Sequence, residues 1–161
     1  MISTLLEVEG EASQSEPLRL DKSAEHHSSS TNSKGQAKAR ILIVDDEADI
    51  VMSLSKRLRF AGYDTASAGD GEEATRSALR MQPDVIILDI GMPCGDGHVV
   101  AERIKANVKT MFAQIIFLTA RVGDADREKA LAAGAYGYLT KPFKPEELLQ
   151  MIENALADST F

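Results

Sequence analysis

Short apolar runs alternate with longer segments of helical periodicity from Arg40 onward. The runs are bounded by polar or turn-forming residues, which is typical of strands. Each is followed by a segment with the apolar spacing of an amphipathic helix. The predicted strands are Ile41–Val44, Tyr63–Ala68, Val85–Leu88, Ile115–Leu118 and Ala135–Leu139. The predicted helices are Glu47–Phe60, Gly71–Met81, His98–Ala106, Asp124–Ala133 and Pro145–Ala157.

Five consecutive β–α units with short connections predict one α/β domain. Right-handed crossovers between parallel strands place helices on both faces of the sheet. Val85–Leu88 is the most apolar run and is expected at the centre of the sheet, whereas Tyr63–Ala68 is expected at an edge. Asp124 is the expected N-cap of the fourth helix. The second helix is expected to turn three apolar residues inward: Ala74, Ala78 and Leu79.

Residues 1–38 have a different composition from the rest of the chain. They lack apolar periodicity over most of their length and are rich in Ser, Glu, Gly and Lys. Such a segment cannot bury enough surface to offset its ordering entropy, so we predict a disordered N-terminal tail before a single domain at residues 39–159. The pair His26-His27 has no further ligand at a matching spacing, which favours a solvated tail over a metal site.

Charge and cysteine content limit the classes of partner. The formal net charge is −7, which argues against a nucleic-acid-binding surface because that surface would be basic. A single cysteine excludes an internal disulfide and fits a reducing cytoplasm. No apolar stretch approaches the length of a membrane span. We therefore expect a cytoplasmic protein that binds neither nucleic acid nor membrane.

Charged residues follow three of the predicted strands. Asp45 and Asp46 follow the first strand, Asp89 follows the third, and Lys141 lies just after the fifth. The carboxyl ends of parallel strands share one edge, where open sheets bind their ligands. Three carboxylates there repel each other and need a cation, and oxygen ligands suit Mg²⁺. The lysine can hold a phosphate that a carboxylate accepts. Each aspartate taken alone also fits a helix cap.

Four motifs at these strand ends carry a resemblance to a known family. They are Ile41–Glu47, Ile87–Pro93, Phe117–Ala120, and the stretch from Gly134-Ala135 to Lys141-Pro142-Phe143. In this order and spacing, over about residues 40–157, the chain resembles the receiver domain of two-component response regulators. The resemblance implies a flavodoxin-like, doubly wound parallel sheet of five strands in the order 2-1-3-4-5. The first and third strands would then be neighbours at the topological switch point.

The resemblance also implies roles for individual residues. Asp89 would accept a phosphoryl group from a phosphohistidine. Asp46, Asp89 and the backbone carbonyl of Gly91 would bind Mg²⁺ directly, and Asp45 would act largely through a metal-bound water. Lys141 would pair with one phosphoryl oxygen, and its peptide bond to Pro142 is often cis in this family.

A second group of implied roles concerns the response to phosphorylation. Thr119 would hydrogen-bond a phosphoryl oxygen, and Tyr138 would turn inward when Thr119 moves. The alternatives are that Thr119 only satisfies the backbone at a strand end and that Tyr138 is an ordinary core residue. Arg121 is large and cationic at a position that flanks the phosphoryl group in the family. Cys94 is expected to be an ordinary loop thiol rather than a redox sensor.

The resulting prediction is a stand-alone response regulator receiver, a phosphoacceptor rather than a conventional enzyme. Its expected partners are a sensor histidine kinase or histidine phosphotransfer protein and a downstream protein target. The sequence also leaves open the formation of a homodimer on phosphorylation. One alternative is a phosphorelay intermediate. A haloacid-dehalogenase-like phosphatase is another, although Gly91 stands where that class needs a second aspartate. A flavin- or nucleotide-binding protein is disfavoured because Asp45–Glu47 would repel phosphate.

Overall fold

Five parallel strands form the central layer of the computed structural model, which describes residues 37–93, 96–120 and 123–159. The strands are β1 (Arg40–Val44), β2 (Asp64–Ala68), β3 (Val85–Asp89), β4 (Gln114–Thr119) and β5 (Gly137–Thr140). Their order across the sheet is β2-β1-β3-β4-β5, which confirms the predicted order, the edge position of β2 and the central position of β3. Almost all of the predicted tail, together with Cys94 and Arg121, lies outside the described residues.

In the part of the chain that the structure describes, five helices cover the two faces of this sheet. They are α1 (Ala48–Phe60), α2 (Gly71–Met81), α3 (Gly97–Lys105), α4 (Asp124–Ala132) and α5 (Pro145–Asp158). Helices α1 and α5 pack on one face, and α2, α3 and α4 contribute to the core on the other. The chain therefore has the predicted doubly wound α/β architecture. None of the helices in the described ranges is both long and apolar enough to cross a membrane.

Alternate residues of each strand enter opposite halves of the core, because successive side chains of a strand point to opposite faces. Ile43 of β1 belongs to the same apolar cluster as Leu54 of α1. Its neighbour Leu42 belongs to the cluster that contains Ala74 of α2. Strand β3 is buried at all five positions, as expected for a central strand covered on both sides.

Two predictions about the helices are wrong. Leu79 lies at the surface, because the buried stripe of α2 passes through Ala74, Ser77 and Ala78 and Leu79 falls beyond its border. Helix α4 begins at Asp124 itself, and the N-cap is Gly123. The Gly123 carbonyl accepts the N–H groups of residues 126 and 127 at 3.2 Å each, so the first helical turn starts one residue earlier than predicted.

The start of β5 also differs from the prediction. Gly134 has a φ of 82°, which favours glycine, and ends the turn after α4. The Ala135 N–H then donates to the Ala130 carbonyl at 3.0 Å, so Ala135 closes the helix instead of starting the strand. Tyr136 is the first residue to hydrogen-bond to β4, through Ile115. The ladder of paired residues begins at Gly137.

Candidate functional site

Lys141 joins three carboxylates at the carboxyl edge of the sheet. Its Nζ lies 2.8 Å from Oδ2 of Asp45, 3.0 Å from Oδ2 of Asp89 and 3.3 Å from Oε1 of Glu47. Asp45 and Lys141 are 96 positions apart in the chain, and the sheet order brings them together. The structure therefore gathers charged residues that follow the first, third and fifth strands, as the sequence predicted.

Each aspartate in this cluster divides its two oxygens between the local turn and the lysine. Oδ1 of Asp45 accepts the N–H of Glu47 at 2.9 Å, and Oδ1 of Asp89 accepts the N–H of Gly91 at 2.9 Å. In both residues Oδ2 accepts from Lys141. The pairing of neighbouring strands β1 and β3, with Val44 opposite Leu88, places the two turns side by side. The carboxylates are therefore held at two points each.

The helix-cap alternative does not describe these aspartates. Helix α1 has Glu47 at its N-cap and α3 has Asp96, so neither Asp45, Asp46 nor Asp89 occupies an N-cap position. The bond from the Glu47 N–H stabilises the turn after β1 rather than the interior of the helix. A role as helix caps would also not explain why Asp45 and Asp89 both contact Lys141.

Burial sets the electrostatics of the cluster. The Asp45 side chain is 0% exposed, those of Asp89 and Lys141 are 8% and 14% exposed, and that of Glu47 is 60% exposed. Burial raises the pKa of Asp45, and the hydrogen bond from Lys141 opposes part of this rise. Burial alone would lower the pKa of Lys141, but the hydrogen bonds and charges of Asp45 and Asp89 outweigh it and raise this pKa.

These two shifts act in opposite directions on the same ion pair. A raised pKa favours the neutral form of Asp45 but the charged form of Lys141. The charged form of the lysine dominates, because Lys141 faces two buried carboxylates and has Glu47 as a third partner. Asp45 is then the member of the cluster whose charge is most costly.

The donor set suits a hard cation. Carboxylate oxygens of Asp45, Glu47 and Asp89 all lie within 4.8 Å of one another. Oxygen ligands and a surplus of negative charge are what Mg²⁺ requires, so this acidic cluster fits the predicted metal. Asp46 is exposed and outside this group, although it stands on the same turn and lines an adjoining cavity of about 470 Å³ between α1 and β2. Its predicted ligand role stays a prediction, as does that of the Gly91 carbonyl.

Glu47 is the residue that sequence reasoning missed. The sequence pattern places it at the start of the first helix and predicts no contact with Lys141. The available signal was its position as the third consecutive acidic residue after β1. Since Glu47 is the N-cap of α1, its side chain leaves the helix axis and reaches the lysine at 3.3 Å.

Thr119 and Tyr138 occupy the adjoining strands β4 and β5. Thr119 is buried at the end of β4 and is paired in register with Thr140. Its carbonyl accepts the Lys141 N–H at 2.7 Å, which fixes the lysine backbone beside the threonine. Tyr138 is partly buried and packs against the apolar cluster that contains Phe117. By strand alternation, Thr119 and Tyr138 lie on the same face of the sheet.

The loop after β5 agrees with the resemblance, and the start of β5 is tied to the last helix. The Lys141–Pro142 peptide bond is cis, as the resemblance implied. Tyr136 donates its hydroxyl to Oδ2 of Asp158 at 2.7 Å and so ties the start of β5 to the end of α5.

Comparison with known proteins assigns the family. The family model of the response regulator receiver domain matches residues 41–153. The chain belongs to this family. Receiver domains of two-component systems are phosphoacceptors rather than conventional enzymes, and they are phosphorylated by histidine kinases.

Relatives of this receiver domain include both long regulators and isolated domains. It is 41% identical over 122 residues to the transcriptional regulatory protein PrrA of Mycobacterium bovis, an alignment that covers 76% of this chain and 52% of PrrA. It is 38% identical over 117 residues to the DNA-binding dual master transcriptional regulator RpaA of Synechocystis, covering 73% of this chain and 48% of RpaA. The chemotaxis response regulator CheY4 of Vibrio cholerae has a TM-score of 0.69 and 36% identity, covering 73% of this chain and 98% of CheY4.

The curated relatives PrrA and RpaA are longer than this chain. This receiver domain spans about half the length of the curated relatives it matches. Their names describe transcriptional regulators, and RpaA is described as DNA-binding. The stand-alone form of this protein and the absence of nucleic-acid binding therefore stay predictions.

Proposed function

We propose that this receiver domain accepts a phosphoryl group on Asp89 from the phosphohistidine of a sensor histidine kinase or histidine phosphotransfer protein. The observation that carries the proposal is the contact of 3.0 Å between Lys141 Nζ and Oδ2 of Asp89. This contact supports a role of Asp89 as the nucleophile, because it places a cation where the negative charge of the phosphoryl group would arrive. The second oxygen of Asp89 is held by the Gly91 N–H, which keeps the carboxylate from rotating away.

The transfer is a displacement at phosphorus. A new bond forms between an Asp89 oxygen and phosphorus while the bond from phosphorus to the imidazole nitrogen breaks, and the imidazole leaves. Such transfers depend mainly on positioning and on charge neutralisation. Lys141 would exchange its carboxylate contacts for a phosphoryl oxygen, and the Thr119 hydroxyl would donate to another. Asp89 thus supplies the acceptor oxygen, while Lys141 and Thr119 orient the incoming phosphoryl group and Lys141 neutralises its charge.

A metal ion is part of this proposal. Asp46, Asp89 and the Gly91 carbonyl would hold Mg²⁺, with Asp45 acting through a water and Glu47 adding negative charge nearby. Bound there, Mg²⁺ supplies the charge neutralisation that lets a phosphoryl group approach a cluster of carboxylates.

An apolar groove beside Lys141 supports approach by a protein donor. A cavity of about 650 Å³ lies between α1 and the loop from β5 to α5. Its apolar lining includes Ile50 and Leu54 of α1 and Phe143 of the loop, and Glu47 and Lys141 also line it. A donor seated on this lining would hold its phosphohistidine next to the acceptor.

The output is proposed to be a change of surface near α4, β5 and α5. Phosphorylation would draw Thr119 toward the phosphoryl group, and Tyr138 would fill the space it leaves. A downstream protein that binds one of the two states more tightly would read the change. A relay intermediate that passes the phosphoryl group onward is the alternative output. We further propose a cytoplasmic regulator that acts without nucleic-acid or membrane binding, with residues 1–38 as a tail that phosphorylation does not require.

Acetyl phosphate provides the test of phosphoacceptance. The protein is incubated with acetyl phosphate and Mg²⁺, and the mass of the intact chain is measured. We expect one added phosphoryl group in the parent and none in Asp89→Asn. Asp64→Asn is the matched control, because Asp64 is an exposed aspartate at the amino-terminal end of β2, whereas the site lies at the carboxyl ends of the strands. Labelling of Asp89→Asn at the parent's level would refute the assignment.

A further inference from the structure

Gly97, the first residue of α3, lies against the backbone of the proposed phosphoacceptor. It is buried, and a Cβ built on it would lie 2.8 Å from the carbonyl oxygen of Asp89 and 2.9 Å from Cα of Ile90. Ordinary contacts between non-bonded carbon atoms are about 3.5–4.0 Å, so a Cβ does not fit at this position. The start of α3 can approach the end of β3 this closely because glycine stands there.

The backbone that faces Gly97 is held from the other side. The Ile90 N–H donates to the Leu118 carbonyl of β4 at 3.0 Å, which continues the β3–β4 ladder beyond Asp89. One residue later, the Gly91 N–H donates to the Asp89 side chain. The segment from Asp89 to Gly91 is therefore enclosed by β4 and by the start of α3. Atoms added on the side of Gly97 would displace it.

We propose that Gly97 is a positioning residue for phosphoryl transfer, because its missing side chain lets α3 set the place of the Asp89 carboxylate relative to Lys141. The inference rests on the proposed function of Asp89. The Asp89 contact with Lys141 is 3.0 Å, so a shift of the backbone by a fraction of an ångström alters it. Reactions that depend on positioning lose about 100-fold in rate for a misplacement of about 1 Å.

A second helix of the same domain provides a matched control. Helix α2 also begins with an Asp-Gly pair, in which Asp70 is the N-cap and Gly71 the first helical residue. The Asp70 carboxylate accepts the N–H of Glu73 at 2.7 Å, much as Asp96 caps α3 through His98 at 3.0 Å. A Cβ on Gly71 would also be crowded, but by a side-chain methyl of Val100 at 2.6 Å.

The two glycines therefore differ in what they touch. Gly97→Ala would press on the backbone of the acceptor residue. Gly71→Ala would press on the side chain of Val100 and would add no atom against the backbone of the β3–α3 turn. Both changes add one methyl group at the first position of a helix and are expected to lower the melting temperature. Only the first is expected to change phosphoryl transfer.

The experiment compares the rates at which the two variants are phosphorylated by acetyl phosphate. Rates are measured at saturating Mg²⁺ and across acetyl phosphate concentrations, at a temperature where circular dichroism shows each variant to be folded. We expect Gly97→Ala to lower the maximal rate about 10- to 100-fold, and Gly71→Ala to keep a maximal rate close to that of the parent. A global loss of stability would not produce this difference between folded variants.

Several outcomes would overturn the inference. A maximal rate of Gly97→Ala equal to that of Gly71→Ala would do so. If Gly97→Ala does not fold, Asp96→Ala and Asp70→Ala take the place of the glycine variants, because each removes one cap without adding atoms. A lower maximal rate for Asp96→Ala than for Asp70→Ala supports the positioning role, and equal rates contradict it. If the parent itself accepts no phosphoryl group, it is the proposed function that fails.

Discussion

Lys141 and Asp45 form the most deeply buried ion pair among the described residues, with 2.8 Å between Nζ and Oδ2. The same nitrogen is 3.0 Å from Asp89, so one cation serves two buried carboxylates that end neighbouring strands. Removing one partner of a buried pair leaves an uncompensated charge, which costs about 3–5 kcal/mol. Before any phosphoryl group arrives, the lysine therefore has a structural role in keeping the carboxylates together.

We predict that Lys141→Met lowers the free energy of unfolding in metal-free buffer at about pH 7 by about 3 kcal/mol. The raised pKa of Lys141 means that its stabilising contribution is fully present below the ordinary lysine value of 10.5 and is lost only as the pH rises through the folded-state pKa. Urea unfolding measures the effect. Lys109→Met is the control, because Lys109 is an exposed lysine in the α3–β4 loop. Equal stability of the two variants would contradict the structural role of Lys141.

The pH dependence of stability gives a second prediction. The pKa of Asp45 is raised in the folded state by burial, so the folded protein binds this proton more tightly than the unfolded chain. Its contribution favours folding below the ordinary value of 3.8 and is lost as the pH rises through the folded-state pKa. Between pH 3.8 and the folded-state pKa of Asp45, we therefore expect the free energy of unfolding to fall less with rising pH in Asp45→Asn than in the metal-free parent.

The measurement is urea unfolding at a series of pH values from about 3.5 to about 7. Asp64→Asn is again the control, because Asp64 is exposed at the opposite edge of the sheet. An identical pH profile for Asp45→Asn and the parent would show that the buried carboxylate does not carry the shift.

The sheet could be predicted from the sequence because its strands are short, apolar and separated by clear helix signals. Strand β3 is the best example, since an uninterrupted apolar run ending in Asp89 has few alternatives to a buried central strand. The charged ends of β1, β3 and β5 then had to meet at one edge, whatever their side-chain details. This part of the site follows from topology alone.

The parts that failed depend on contacts that a linear pattern does not contain. The predicted inward position of Leu79 is wrong because this residue lies just outside the narrow buried stripe of α2. The sequence pattern places Glu47 at the start of the first helix, whereas its N-cap position brings its side chain to Lys141. The close approach of Gly97 to Asp89 is set by how α3 packs, and a glycine after an aspartate equally fits an ordinary turn.

Mg²⁺ binding separates two acidic residues on the same turn. The resemblance assigns direct ligation to Asp46, while the structure brings Glu47 into the carboxylate cluster. We predict that Asp46→Ala weakens Mg²⁺ binding about tenfold or more, because it removes a ligand from an ion that dehydrates reluctantly. Glu47→Ala should have a smaller effect, because Glu47 is proposed to add negative charge near the ion rather than to bind it, and that exposed charge is screened by solvent. Isothermal titration of the two variants with Mg²⁺ makes the comparison, and the reverse order would assign the ligand to Glu47.

Coupling between Thr119 and Tyr138 is the last prediction. Thr119 is buried beside the Lys141 backbone, and Tyr138 packs on the same face of the sheet against the cluster that contains Phe117. If the threonine moves toward a phosphoryl group, the tyrosine is the large side chain placed to respond. The change would then spread to β5 and the helices next to it.

Thr119→Ala should therefore still accept a phosphoryl group, because Asp89 and Lys141 are intact, but should lose most of the response beyond the site. The measurement is the change in backbone amide shifts of α4, β5 and α5 on adding beryllofluoride with Mg²⁺, which stands in for the phosphoryl group on Asp89. Thr110→Ala is a suitable control, since Thr110 is a buried threonine whose hydroxyl donates to the Ile104 carbonyl at 2.7 Å. We expect this control to keep the parent's pattern of shifts. If Thr119→Ala shows the parent's full set of amide shift changes, the signal leaves Asp89 by a route other than Thr119 and Tyr138. The Thr119 hydroxyl, which is the only hydroxyl on β4, would then be dispensable for the response.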